Sequence, residues 1–263
     1  MSAGVRGGAL APLLVALAAL AGSCTDVATG PATAVALEFD TLPFPAIVSG
    51  DTLRDSLGRA APLHAVAYNA SGAVIADAGI RYIALDTGLT IDGAGFVTAQ
   101  ARNGAVRIVA SAGGLQTSPE TLHVARRPDT VLVTGKVVDT LRFTIPDSAA
   151  RNVTASLGVR VATRDTAGGI TGSKGWLVSY QGFFHGAALA STDTTLASLW
   201  AEGSRASPLD TTTADGGAGR TLRIRSLLLP TTPDSFVVIA TVRYRGAPVR
   251  GSPVRFVVHT QPR

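Results

Sequence analysis

Side chains able to do chemistry are few in this chain and thinly spread. There is one cysteine, Cys24, and four histidines: His64, His123, His185 and His259. No histidines stand in an H-x-H or H-E-x-x-H spacing, and no second cysteine completes a C-x-x-C pair. Nothing is therefore spaced to hold zinc. A serine nucleophile would want a G-x-S-x-G elbow, and none occurs. The glycines of DTAGGITGSKG (165–175) miss the G-x-x-x-x-G-K-[ST] spacing that cradles a phosphate. Asp92, Asp165 and Asp215 lie in turn-like segments where calcium would find carboxylates. Each turn offers one acid with glycine close behind, however, which a tight turn needs on its own account. The expectation is no metal, no cofactor and no enzyme. One segment stands apart, an insertion over 182–210 that gathers Phe183, Phe184, His185 and Trp200 in a chain with only 5% aromatics. Exposed aromatics on loops supply binding energy, so these four are the candidate binding residues, with a carbohydrate as one ligand class. The competing expectation is burial, with Phe184 and Trp200 on extra strands that close a core.

Cys24 belongs to a different setting. The opening MSAGVRGGALAPLLVALAALAGSC has a basic start at Arg6, an apolar run from Leu10 to Leu20, then small residues. That is the layout of a secretory signal peptide over residues 1–23. Its apolar run is too short to span a bilayer as a helix. The tetrapeptide Ala21-Gly22-Ser23-Cys24 resembles the lipobox of bacterial lipoproteins, with Ala21 where leucine is commoner. The resemblance implies that Cys24 becomes the N-terminus and carries lipid on its sulfur, anchoring the chain to a membrane. Thr25, behind it, points to the outer membrane by the same resemblance. The alternative is an ordinary cleavage after Ala21 that leaves Cys24 as a free thiol.

The elements that would position any site are strands. Outside the leader no long stretch repeats apolar residues at helical spacing. Short period-two runs recur instead, bounded by Gly, Asp, Asn, Ser and Pro. They fall at 35–39, 63–68, 80–85, 95–99, 105–110 and 121–124, and again at 157–163, 176–180, 221–226, 236–245 and 254–258. Their count and spacing predict antiparallel sandwiches. The two sets read as copies of one plan: 67–80 lies over 162–176, TIDGAG (90–95) over TADGGAG (213–219), and SPETLHV (118–124) over SPVRFVV (252–258). The domain plan is a tether over 24–33, one sandwich over 34–127 and a second over 128–263. With one cysteine in the whole chain, packing and not disulfides must stabilise it. The formal charge is +5, but only Lys136 and Lys174 are lysines and no cationic run reaches five residues. Nucleic acid is therefore not an expected partner.

At their turns, NASGAVI, DTAGGI, DGAGFVTA and DGGAGRTL resemble the bacterial immunoglobulin-like (Big) domains of intimin- and invasin-like surface proteins. The resemblance implies two tandem immunoglobulin-like sandwiches in an exported, non-catalytic structural or adhesive protein. An envelope protein or glycan is the partner expected of such a chain. The resemblance also places Trp176 where antibody domains keep a core tryptophan. Mass analysis of the native protein should find a thioether-linked diacylglycerol on Cys24. An unmodified N-terminus at Gly22 would contradict the anchor.

Overall fold

The computed structural model describes residues 33–100, 103–190, 195–202, 205–225 and 233–263. Cys24 and the leader lie outside the described residues. Among those described the regular elements are strands, with no α-helix. The alternation read from sequence is what builds the core. Strand Asp234–Thr241 buries Phe236, Val238 and Ala240, and strand Val254–Pro262 buries Val254, Phe256, Val258 and Thr260. Successive side chains on a strand point to opposite faces, so on these two strands one face is buried and the other is more exposed.

Every strand pairing joins residues of 36–125 to one another, or residues of 130–262 to one another. In the earlier set, strand Ala46–Val48 runs parallel to Glu120–Ala125, which pairs antiparallel with Gly104–Ala112, and Arg81–Ala84 follows. The pairs Ala36–Phe39 with Ala65–Tyr68, and Leu89–Ile91 with Val97–Ala99, make the other layer. In the later set, Val138–Phe143 runs parallel to Val254–Pro262, which pairs with Asp234–Thr241, and then come Leu177–Phe184 and Ala187–Ala188. The facing sheet runs Thr130–Val133, Leu157–Arg164, Gly217–Ile224, Ala197–Trp200. These are the layers of all-β, immunoglobulin-like sandwich architecture. In both sets the last strand lies between a parallel and an antiparallel partner, so the likeness of SPETLHV to SPVRFVV has a counterpart in topology.

The turns share one chemistry. The Oδ1 atom of Asp92 accepts from the amides of Ala94 and Phe96, both at 2.9 Å. Asp165 does the same with Ala167 and Gly169, Asp55 with Leu57 and Arg59, and Asn69 with Ser71 and Ala73. The backbone then closes with a positive-φ glycine three residues on, as at Gly95, whose φ is 85°. There a Cβ would also press on the Tyr82 ring. This is side-chain mimicry of a turn, and it explains why the D-x-x-G spacing recurs. It also directs one oxygen of each such carboxylate at the protein's own amides. Asp92→Ala strands two amides, so it should lower unfolding free energy by about 1–2 kcal/mol. A urea midpoint unchanged from the parent would contradict this role.

Candidate functional site

A densely bonded carboxylate, Asp51, stands where the earlier strand set meets the later one. It follows strand Ala46–Val48, and its backbone is pinned by bonds with Val48 and Ala99. The residue is 8% exposed. Its carboxylate accepts from the Thr52 amide at 2.9 Å and from one guanidinium edge of Arg54, Nη2 at 3.1 Å and Nε at 3.4 Å. From the later set come Arg245, at 2.9 and 3.0 Å, and the Tyr244 hydroxyl at 2.9 Å. Two forked arginines on one carboxylate form a strong, geometrically selective clamp. Burial pushes the Asp51 carboxyl up, but Arg245, Arg54, Thr52 and Tyr244 outweigh it and hold it well below the usual carboxylate range. Burial, and then Asp51 itself, raise the Tyr244 phenol.

Local structure serves this contact. Arg245 and Gly246 close a two-residue hairpin between Tyr244 and Ala247, and Arg245 takes φ 49°. Such hairpins need positive φ at both central positions, where Asn-Gly is usual. Arginine in that conformation is strained, and here it aims the guanidinium at Asp51 while lying 5.4 Å from the Tyr244 ring centre. Arg127 stacks over the same ring at 5.3 Å. Beneath them Trp176 meets Phe44 edge-on at 5.1 Å and Tyr244 at 6.1 Å, and its Nε1 donates to the Arg243 carbonyl at 3.2 Å. The turn at Gly58 lies so close to Arg245 and Gly246 that a Cβ would overlap their backbone. The connecting segment is tied down as well: Thr163 Oγ1 donates to Arg127 O and the Arg164 amide to Asp129 Oδ2, both at 2.8 Å.

Trp176 therefore needs a correction. It is buried, as expected of a core tryptophan, but much of its aromatic contact is with Phe44 of the other strand set. It sits ahead of strand Leu177–Phe184 rather than in its middle, which moves the ring from the sandwich interior to the junction.

The four aromatic-insertion candidates do not form one platform. Phe183 and Phe184 are neighbours on a strand and face opposite ways. Phe184 stacks on buried Phe236 at 4.6 Å and on His185 at 4.0 Å. Phe183 lies on the outer face with Val237, Ile239 and Arg255. His185 holds Asp234 at 2.8 Å from an exposed hairpin turn. Trp200 is on the other sheet, half-buried, with Arg223 and Arg225 near its ring at 5.7 and 6.0 Å. A shared sugar-binding surface built from all four is thus not what this geometry provides.

No family model matches the chain, and no curated protein matches it. Among solved structures it is similar to domains 4 and 5 of the S-layer protein SbsC, with 13% identity and a TM-score of 0.30, covering 88% of this chain and 100% of that one. It is similar to the D0-D1 domain of intimin, with 14% identity and a TM-score of 0.28, over 87% and 98% of the two chains. The Yersinia pseudotuberculosis adhesin InvE matches at 12% identity and a TM-score of 0.32, over 86% of this chain and 58% of that one. The global correspondence is loose, and function has to follow from the chain's own residues.

Asp51, Tyr244 and Arg245 carry no motif, since their partners are far apart in sequence. The readable sign is the Arg-Gly pair in RYRGAP, an odd choice for a tight hairpin. A depressed folded-state pKa stabilises above the ordinary carboxylate value near about 4. That stability is lost as pH falls from there towards the lower folded value. Asp51→Asn should therefore flatten the acid limb of a stability-against-pH curve, measured by thermal melts. An acid limb identical to the parent's would contradict the clamp.

Proposed function

We propose that this chain is a non-catalytic envelope lipoprotein of bacterial immunoglobulin-like (Big) type. In this reading two sandwiches, residues 34–127 and 128–263, are held as one stiff body on a lipid tether over residues 24–33. Its work is structural or adhesive: presenting a fixed surface to an envelope partner from the outer membrane.

The single observation that carries the reading is the junction clamp. Asp51 spends both oxygens on Arg54, Arg245 and Tyr244, leaving no free base or nucleophile there. Flexible tandem modules need no such contact, because interfaces between domains of one chain are usually weak and permissive. A buried ion cluster with a tryptophan beneath it favours one orientation, and the geometry of a presented surface depends on that orientation. Strand Val138–Phe143 offers a route to a partner, since among the described residues it has one neighbour in its sheet, and it starts at Val138, next to Val137, the two being 54% and 45% exposed. Open edges of this kind accept a strand from another chain.

The test immobilises the full mature chain and passes detergent-solubilised envelope extract over it, beside a broad hydrolase screen. Saturable retention of an envelope component is expected, with no turnover. Substrate turnover by the purified chain would overturn the non-catalytic assignment. A chain that fractionates wholly with soluble protein would overturn the envelope assignment.

A further inference from the structure

We infer that the groove between the two strand sets is a binding site for an acidic saccharide unit, a role beyond the structural reading above that shares its premise of a fixed junction. The groove has a volume of about 440 Å³ and opens beside the connecting segment. That is the size range of small-ligand sites. One wall is Asn103–Ala105 with His123–Arg126, and the other is Thr163 with Thr171–Lys174. At the base the two sets touch closely: a Cβ on Gly175 would press into the His123 ring.

Charge gives this groove its character, since it gathers cations in one concavity, whereas Arg107, Arg220 and Arg223 are each neutralised by an aspartate. The groove lining holds Arg126, Lys174 and His123 and no acidic residue. Neither cation has an acidic partner among the described residues, and both are exposed. Burial, followed by the charge of Lys174, lowers the His123 pKa. Two unneutralised cations in one concavity attract an anion and concentrate it there.

The remaining lining narrows the class of anion. Ala105, Val124 and Ala125 give an apolar floor, while Asn103 and Thr171 place an amide and a hydroxyl at the rim. A bare inorganic ion has no use for the floor. A sugar ring does, because its C–H face lies on apolar surface while its hydroxyls meet the rim. The acid on that ring, carboxylate or phosphate, then faces Lys174 and Arg126, with Arg126 able to grip it through two parallel bonds. The junction clamp supports this arrangement by fixing the two walls before the ligand arrives, which removes an ordering cost from binding.

Isothermal titration of the full chain with a galacturonate trisaccharide tests the assignment, with galactose trisaccharide, inorganic phosphate and a short Asp/Glu peptide as comparisons. A second arm measures retention on phosphatidylglycerol vesicles with and without lipopolysaccharide, so that a free glycan and a glycolipid headgroup are told apart. The acidic saccharide should bind at least about tenfold more tightly than the neutral one. Added salt should weaken it, and Lys174→Ala with Arg126→Ala should weaken it by about tenfold or more. Both side chains are exposed, so the double variant should keep the parent's melting temperature and any lost binding belongs to the groove. Binding that survives the double variant would overturn the inference, as would equal binding of the neutral trisaccharide or the acidic peptide. Phosphate binding alone, or no groove-dependent binding in either arm, would overturn it as well.

Discussion

Asp51 is a carboxylate removed from water and surrounded by donors that belong to both ends of the chain. Such a group is tolerable only when its oxygens are fully met, because an unpaired buried charge costs several kcal/mol. That condition reaches outward through the structure. Arg245 must adopt a strained hairpin conformation to arrive, Tyr244 must turn its hydroxyl inward, and Trp176 must fill the space beneath. Each requirement removes an orientation that the two strand sets would otherwise be free to take. The ion cluster therefore acts more on specificity of arrangement than on raw stability, the role for which buried polar contacts are best suited.

The strands were legible where burial is one-sided. Phe236, Val238 and Ala240 alternate with wetter neighbours, and so do Val254, Phe256 and Val258, so period two announces them. Strands Ala46–Val48 and Ala197–Trp200 were missed because each is buried at consecutive positions, which erases the alternation. Val138–Phe143 also went unread, although it alternates, because Asp139, Thr140 and Arg142 dilute its apolar signal. The Asp- and Gly-bearing loops were legible as turns from residue type and from their resemblance to a known family's turns, since each such side chain bonds within its own loop. Local chemistry is visible in a local string.

The junction was invisible for the opposite reason. Phe44 and Trp176, or Asp51 and Arg245, form no pattern until the fold brings them together. Trp176 was singled out by likeness to a core position, and it is buried, but the likeness named none of the rings it meets. Phe184 and Trp200 show the same lesson from the insertion. Phe184 went inward against Phe236, while Trp200 settled on the opposite sheet beside two arginines. Phe184 packs against the core and Trp200 stays half-buried, so sequence proximity said little about which surfaces would share them.

Stiffness at the junction is the premise on which both the presented surface and the preformed groove rest, and a spin-label distance measurement probes it directly. With Cys24→Ser in place and labels at Ser71→Cys and Thr140→Cys, one narrow distance distribution is expected across the junction. Asp51→Asn with Trp176→Ala should broaden it. A distribution already broad in the parent, or one untouched by these two substitutions, would contradict the account.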